Sequence, residues 1–414
     1  MFASKVLCNM LKMTRVILLL LLASAFTAAG QGTGGLVYSA QGTVYEGKTG
    51  KPMEGVNVSL PDRYYATVTN ADGFFTIKSD TPLSEVVFSF LGYRTLRKKA
   101  DGSYMDVRLF REALPLPGAR IVTGDPFEIV RAAIGSIRDN YSQSPELMEC
   151  FYRETIRKRQ RFTFISEATA RLYKTGYNGN IGQDRTALSK SRVLLSQRRG
   201  DTLSVRVIGG PTQAITQDVV KNPDIILGED LKNYRFEMLP PEIIDGRVQF
   251  AIKMTPAALC DWALYDGILY IDQETLSFTR VELSLDVSDP VKATRMMLVR
   301  KPLTLRFKPK EMSMTVSYRR EGGKSRLEYF KSVFVFDCDW RKRLLSTQYT
   351  VVNELVVTDL YPEAVPISRS DAFRFGDSLS EKAAEFSDPD FWKEYNIIEP
   401  SESLEHAIGR LKRR

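Results

Sequence analysis

The sequence has a single histidine, His406, in 414 residues. Zinc hydrolysis draws on several His and carboxylate ligands with one position left open for water. One histidine cannot supply a two-histidine site, and neither His-Glu-x-x-His nor His-x-x-Glu occurs. A Ser-His-Asp triad would also rest on His406, and no Gly-x-Ser-x-Gly elbow accompanies it. The residue is read as a surface position on a C-terminal helix. Cysteine is scarce as well: Cys8, Cys150, Cys260 and Cys338, with no Cys-x-x-Cys pair. The last three are an odd number, which excludes a full disulfide framework. They read as small core residues, although an exported chain could close one bridge. No EF-hand-like run of Asp and Gly is present, so neither a metal nor another cofactor is expected.

Long apolar runs are missing too. The most continuous is Val16–Ala23, short of the roughly 20 residues that a spanning helix needs. It follows the basic residues Lys5, Lys12 and Arg15 and precedes the small residues Ser24, Ala25, Thr27, Ala28, Ala29 and Gly30. That is the pattern of a signal peptide over 1–30, cleaved near Gln31, with translation from Met1 or Met13. Cys8 precedes the apolar run, so lipidation is not expected, nor is a transmembrane span after cleavage. The formal charge of +8 falls to +5 once 1–30 is set aside, with 55 basic against 50 acidic residues. So slight and dispersed an excess argues against nucleic acid as a partner. The densest basic run, Arg157-Lys158-Arg159-Gln160-Arg161, lies between two strand-like stretches and reads as a solvated hairpin tip.

What the chain does have is β pattern. Hydrophobic content of 43% and charged content of 26% are those of a globular protein, and 18 Tyr and 22 Phe lean the class towards strands. After a Gly-rich linker at 31–40, short alternating pieces run Gly42–Tyr45, Val56–Leu60, Tyr64–Thr69, Phe74–Lys78, Glu85–Phe90 and Met105–Phe110. Val56, Val58, Phe75, Ile77 and Val87, with Phe88 and Phe90 as alternatives, are the inward set. Gly73 closes a turn after Thr69-Asn70-Ala71-Asp72. Gly42-Thr-Val-Tyr-Glu-Gly47-Lys48-Thr49 matches the letters of a P-loop, but its loop positions are β-like and Gly50-Lys51-Pro52 starts no helix.

Gly42-Thr-Val, Thr49-Gly50-Lys51-Pro52-Met53-Glu54-Gly55-Val56-Asn57-Val58, Thr69-Asn-Ala-Asp-Gly-Phe-Phe-Thr-Ile77 and Phe88-Ser-Phe-Leu-Gly-Tyr93 follow one another in order. In spacing they resemble the carboxypeptidase-regulatory-like domain that precedes many TonB-dependent outer-membrane receptors of Gram-negative bacteria. The resemblance covers 41–111 and implies a β-sandwich in the cell envelope, at the periplasm or the outer-membrane periphery. It stops short of a receptor: no plug and barrel are expected after it, and Arg410-Leu-Lys-Arg-Arg414 lacks the terminal aromatic of such barrels.

A linker at 112–124 leads to a helix at Asp125-Pro126-Phe127-Glu128, where Asp caps and Pro takes the first position. Ile129, Val130, Ala133, Ile134 and Ile137 give it an apolar face that ends near Tyr141. Strands are predicted at Phe151–Lys158, Phe162–Lys174, Tyr234–Met238, Val248–Lys253, Gly267–Asp272, Phe278–Asp286, Met312–Tyr318, Leu327–Trp340 and Leu345–Val357, with a short helix from Ser288-Asp289-Pro290 through Met297. The expected fold is mainly β (α+β): a sandwich, then over 125–360 a large curved antiparallel sheet with a few helices. A polar segment, 361–414, ends in a docking helix from Ser403 through Leu411. Gly267–Asp272, the turn Asp272-Gln-Glu-Thr275 and the strand back to Glu282 resemble lipoprotein-carrier-like half-barrels, which implies a concave face for acyl chains. Phe151-Tyr-Arg-Glu154 and Tyr395-Asn-Ile-Ile-Glu-Pro400 resemble segments of a group of uncharacterised envelope proteins.

Two sets of side chains are candidates for a site. Trp262, Tyr265, Phe336 and Trp340 are aromatic and would line an apolar groove. Asp337 and Asp339 flank Cys338 and would share one face of a strand, as acid–base work or cation binding requires; Glu154 with Glu167 is a second, weaker pair. The leading expectation is a non-catalytic envelope protein whose sandwich docks and whose sheet binds a lipid-like ligand or a partner protein. The alternatives are a structural or assembly partner of outer-membrane transport or polysaccharide machinery, and a carboxylate-dependent hydrolase.

Overall fold

The computed structural model describes residues 38–61, 63–112, 124–198, 201, 203–222, 225, 229–340, 346–385 and 391–413, with only the backbone of Gln213, Glu229, Asp230, Trp340, Ala384 and Glu385. The expected signal peptide, most of the two linkers and Leu345 lie outside these. In the sandwich, β1 (Tyr38–Glu46), β2 (Asn57–Ser59), β3 (Ala66–Val68), β4 (Phe74–Ser79), β5 (Glu85–Ser89), β6 (Leu96–Lys99) and β7 (Met105–Leu109) form two sheets, in the orders β4-β1-β7 and β3-β2-β5-β6. Val56, Val58, Phe75 and Ile77 are buried as their alternation requires, and Phe75 meets Phe88 edge-on at 5.2 Å. Val87 is a correction: Val86 and Phe88 point inward, and period 2 then turns Val87 outward. Strand β6 carries Leu-Arg-Lys-Lys, an edge strand without an apolar rhythm, which is why it escaped the pattern. The P-loop letters fall on β1 and the turn after it. Gly42 is needed there because a Cβ would come within 2.0 Å of the Met105 carbonyl oxygen on the parallel neighbour β7.

Beyond the sandwich come α1 (Pro126–Gly135) and α2 (Ile137–Asn140). Asp125 caps α1 by accepting from the Phe127 N–H, with Pro126 at the first position. The long hairpin β8 (Glu146–Lys158) and β9 (Arg161–Lys174) turns at Arg159-Gln160, both exposed, with Arg159 at φ 56°. Then follow β10 (Arg185–Leu195), β11 (Arg206–Val207), α3 (Pro211–Thr216), β12 (Tyr234–Ile244), β13 (Arg247–Pro256), β14 (Tyr265–Asp272), β15 (Phe278–Leu285), α4 (Pro290–Met297), β16 (Leu298–Arg300), β17 (Leu305–Glu321), β18 (Lys324–Trp340), β19 (Thr347–Leu360), α5 (Leu379–Lys382), β20 (Ala384–Glu385) and α6 (Glu402–Lys412). One sheet runs β12-β13-β14-β15-β17-β18-β19-β8-β9-β10-β20, antiparallel throughout except for the two-residue edge β20, while β11 and β16 make a separate ribbon. Register shifts at Pro309/Glu311 and Leu239/Glu242 fall at prolines, which have no N–H to give the ladder, and such bulges bend the strands. A shift between Leu188 and Lys190 also breaks the alternation of β10, a strand the sequence pattern did not reveal.

The inner face of the sheet carries the main core, including Tyr141, Cys150, Tyr152, Val316, Phe334 and Phe336, together with Val130 of α1 and Ala293 of α4. The outer face meets the sandwich. There Phe151, Tyr329 and Val356 pack with Val68 and with Trp392, Ile397 and Ile398 from the C-terminal segment. That segment stitches the two parts together: Asn396 hydrogen-bonds both the N–H and the carbonyl of Lys78, and Thr67 donates to the Ile397 carbonyl. Helix α6, capped by Ser401, docks Leu404 and Ala407 against Ile165.

Candidate functional site: a cleft over the inner face

The tetrapeptide Phe151-Tyr152-Arg153-Glu154 lies on β8, so its side chains alternate between faces. Phe151 and Arg153 turn outward. Arg153 grips the buried Glu167 through Nε and Nη2 at 2.8 and 2.5 Å, and Arg192 takes the other carboxylate oxygen at 2.9 and 2.7 Å. Burial works to raise the Glu167 pKa, but Arg153, Arg192 and the Trp392 N–H outweigh it and the carboxyl is held below its usual range. Tyr152 and Glu154 turn inward. Because β8 pairs Arg153 with Glu167 and Glu154 with Ser166, the two glutamates point to opposite faces. The weaker carboxylate pair is therefore corrected: it cannot form.

Glu154 stands in a polar row that crosses four strands of the inner face. Ser166, Glu154, Asn353 and Ser332 are successive partners on β9, β8, β19 and β18. The Tyr152 hydroxyl lies 3.1 Å from Glu154 Oε2 and 2.9 Å from Asn353 Oδ1, and accepts from the Gly210 N–H at 2.7 Å. Gly209 and Gly210 thus lie directly over the row. A Cβ on Gly209 would come 3.2 Å from Glu154 Oε2, and Gly210 sits at φ 96°, a conformation that suits only glycine. Burial raises the Glu154 pKa; the Tyr152 hydroxyl and the Arg206 charge oppose it without cancelling it.

A cleft of about 890 Å³ opens above this row. Its floor is Glu154, Ile156, Phe164 and Val351; the ribbon segment Leu203–Gly210 and the stretch Arg300–Leu303 cover it, and Phe373 and Leu379 close one side. Apolar and polar side chains share the lining about equally, with Asp201, Arg300, Lys301, Asp377 and Glu381 among the charged ones. Asp201 there is held by Arg161 at 2.6 Å, and Asp377 pairs with Lys382. No described residue of the lining is a histidine or a cysteine.

Of the residues singled out in the sequence, Glu154 lies in the cleft; the aromatic set and the pair Asp337 and Asp339 lie elsewhere. Trp262 is exposed in the segment between β13 and β14. Tyr265 is buried at the start of β14, and Phe336 is buried between Phe307 and Tyr349, with ring centroids 4.8 and 6.0 Å away. Trp340 ends β18 with its backbone paired to Leu305, and its side chain is outside the described residues. None of these side chains is among the described lining of the cleft. Asp337 and Asp339 do share the outer face of β18, where Lys310 approaches Asp337 at 3.5 Å and Asp339 Oδ1 is buried without a hydrogen bond. Among the described residues no three His, Cys, Asp or Glu side chains gather as metal ligands. His406 is exposed on α6, and Cys150, Cys260 and Cys338 are free. No described helix is long and apolar enough to cross a membrane.

Against this geometry the comparisons with known proteins add one assignment. Residues 40–109 match the family model of the CarboxypepD_reg-like domain. The CarboxypepD_reg-like domain is thus the sandwich β1–β7, about a sixth of the chain. No curated protein matches the sequence. Among solved structures, the chain is similar to a putative outer membrane lipoprotein-sorting protein domain from Vibrio parahaemolyticus (11% identity, 61% of this chain and 96% of that one, TM-score 0.26). It is also similar to a DUF1329 family protein from Desulfovibrio piger (12% identity, 57% and 94%, TM-score 0.24). A third is a LolA superfamily protein from Nitrosomonas europaea (10% identity, 60% and 100%, TM-score 0.19). Scores this low carry no argument about fold or function. The large sheet is assigned here from its own strands.

Proposed function

We propose that this chain is an exported, non-catalytic envelope protein that holds a hydrophobic or amphiphilic ligand in the cleft over the inner face of its large sheet. The observation that carries the reading is the cleft itself, about 890 Å³ with Ile156, Phe164, Val205, Val351 and Phe373 along its walls. A volume in this range suits a single small-molecule ligand, and a lining that mixes apolar with polar and charged side chains suits one with both an apolar and a polar part. The basic and apolar N-terminal pattern and the CarboxypepD_reg-like domain support an envelope setting. The non-catalytic part rests on the lining: its described residues include no histidine or cysteine, and the Asp201 carboxylate beside the Ser196 hydroxyl is held by Arg161 and Lys158.

The test is a titration of the purified chain with an environment-sensitive fatty probe, repeated on Val205→Trp, which fills the cleft. Wild type should bind, and the variant should lose about tenfold or more in affinity, the equivalent of a few contacts from one displaced chain segment. Equal binding by a Val205→Trp protein with an unchanged melting temperature would reject the cleft as the site.

A further inference from the structure

Arg300 and Glu381 of the lining are exposed, and Lys301 donates to the Pro302 and Leu305 carbonyls; the other charged groups around the cleft are partnered, with one exception. Asp201 has Arg161 and Lys158, Asp377 has Lys382, and the Arg206 guanidinium donates to the carbonyls of Phe375, Gly376 and Asp377. Glu154, on the floor, makes no ion pair with any described residue. Its one side-chain donor is the Tyr152 hydroxyl, which Asn353 Oδ1 also approaches. A hydroxyl has a single proton to give. Asn353 is turned so that its amide nitrogen donates to Ser332, which leaves its oxygen facing Tyr152. The floor therefore has more acceptors than donors, in a place where water is partly excluded and an unmatched acid is costly.

Resting on the ligand-holding reading above, we propose that the occupant of the cleft is an amphiphile whose polar end is a protonated amine, received by Glu154. An ammonium brings three donors and the missing positive charge. Glu154 lines the cleft, and Gly209 beside it has no side chain to fill the space at Oε2, where a Cβ would stand 3.2 Å away. The apolar body then lies along Ile156, Phe164 and Val351, next to the carboxyl on the same floor. An alcohol of the same length supplies one donor and no charge, and a fatty acid would set two carboxylates against each other.

The experiment is competition by dodecylamine, dodecanol and dodecanoate against the fatty probe, on wild type and on Glu154→Gln. Wild type should prefer the amine over the alcohol by about tenfold, the scale of one partly desolvated ion pair. Glu154→Gln should erase that preference while leaving the alcohol within about twofold, since the apolar contacts are unchanged. Dodecanoate binding wild type as tightly as dodecylamine would overturn the amine assignment and leave the ligand-holding reading intact. So would an amine preference that survives in Glu154→Gln. Failure of all three compounds and of the probe to bind would overturn the ligand-holding reading itself. The comparison of the three compounds on wild type needs no variant, so the proposal remains falsifiable if Glu154→Gln does not fold.

Discussion

The indole N–H of Trp392 donates to the Glu167 carboxylate at 3.0 Å, across 225 positions of chain. The same oxygen accepts from Arg192, and the other accepts from Arg153, whose Nη2 also reaches the Ile398 carbonyl at 2.6 Å. One buried acid thus ties β8, β9 and β10 to the C-terminal segment that binds the sandwich. Fixing the segment fixes the CarboxypepD_reg-like domain on the outer face, away from the cleft.

Glu167→Gln should destabilise the chain by about 3–5 kcal/mol, because it leaves two buried guanidiniums without their anion. Trp392→Phe keeps most of the packing and removes the hydrogen bond to a charged group, which should cost about 1.5–3 kcal/mol. Denaturant unfolding of the two variants would check both the size and the order of the losses.

Gly42→Ala should weaken the sandwich by about 1–3 kcal/mol through overpacking, since its Cβ would meet the Met105 carbonyl at 2.0 Å. Hydrogen exchange should report the loss in β1 and β7 first. Unaltered exchange there would mean that the two strands can part without cost.

Glu149 and Asp359 oppose each other where β8 meets β19 beside a bulge. Burial pushes both carboxyls up to about 6; the Asp359 charge adds to the Glu149 shift, and the Asp80 charge to that of Asp359. Acids with a raised folded pKa bind more protons folded than unfolded, so their contribution to stability is full below the unfolded values, near 4, and is lost as pH rises through about 6. Melting temperature should fall between about pH 4 and about pH 6, the window those values define. Glu149→Gln should flatten the fall.

Cysteine reactivity should be uneven. Burial raises the thiol pKa of both Cys150 and Cys338, the latter to about 12, whereas Cys260 is only partly buried. Alkylation of the native protein should label Cys260 first, and the other two only after unfolding. Peptide mass mapping over time reads the order.

Much of the fold was legible in the sequence because period 2 survives wherever one face of a strand is buried. The caps Asp125, Asp289 and Ser401 begin helices close to where their residue types place them. The cleft was not legible. It forms where β8, β9 and β19 come beneath Leu203–Gly210 and Phe373, segments far apart in the chain and without strong periodicity. The local hints were Glu154, a candidate for a pairing it does not make, and Gly209-Gly210, whose role depends on the residues beneath it. Phe336 and Tyr265 attracted attention as aromatics, yet aromatics on the inner face of a sheet are what a core is made of. The tetrapeptide at 151–154 was noticed as a unit; alternation divides it, with Phe151 and Arg153 at the seam and Tyr152 and Glu154 under the cleft.

The most direct test of ligand holding is native mass spectrometry of the chain purified from its own cell envelope without harsh detergent. A reproducible added mass that organic extraction removes, and that Val205→Trp lacks, is the predicted result. A bare polypeptide mass in wild type, with the cleft open to added probe yet never filled, would contradict it.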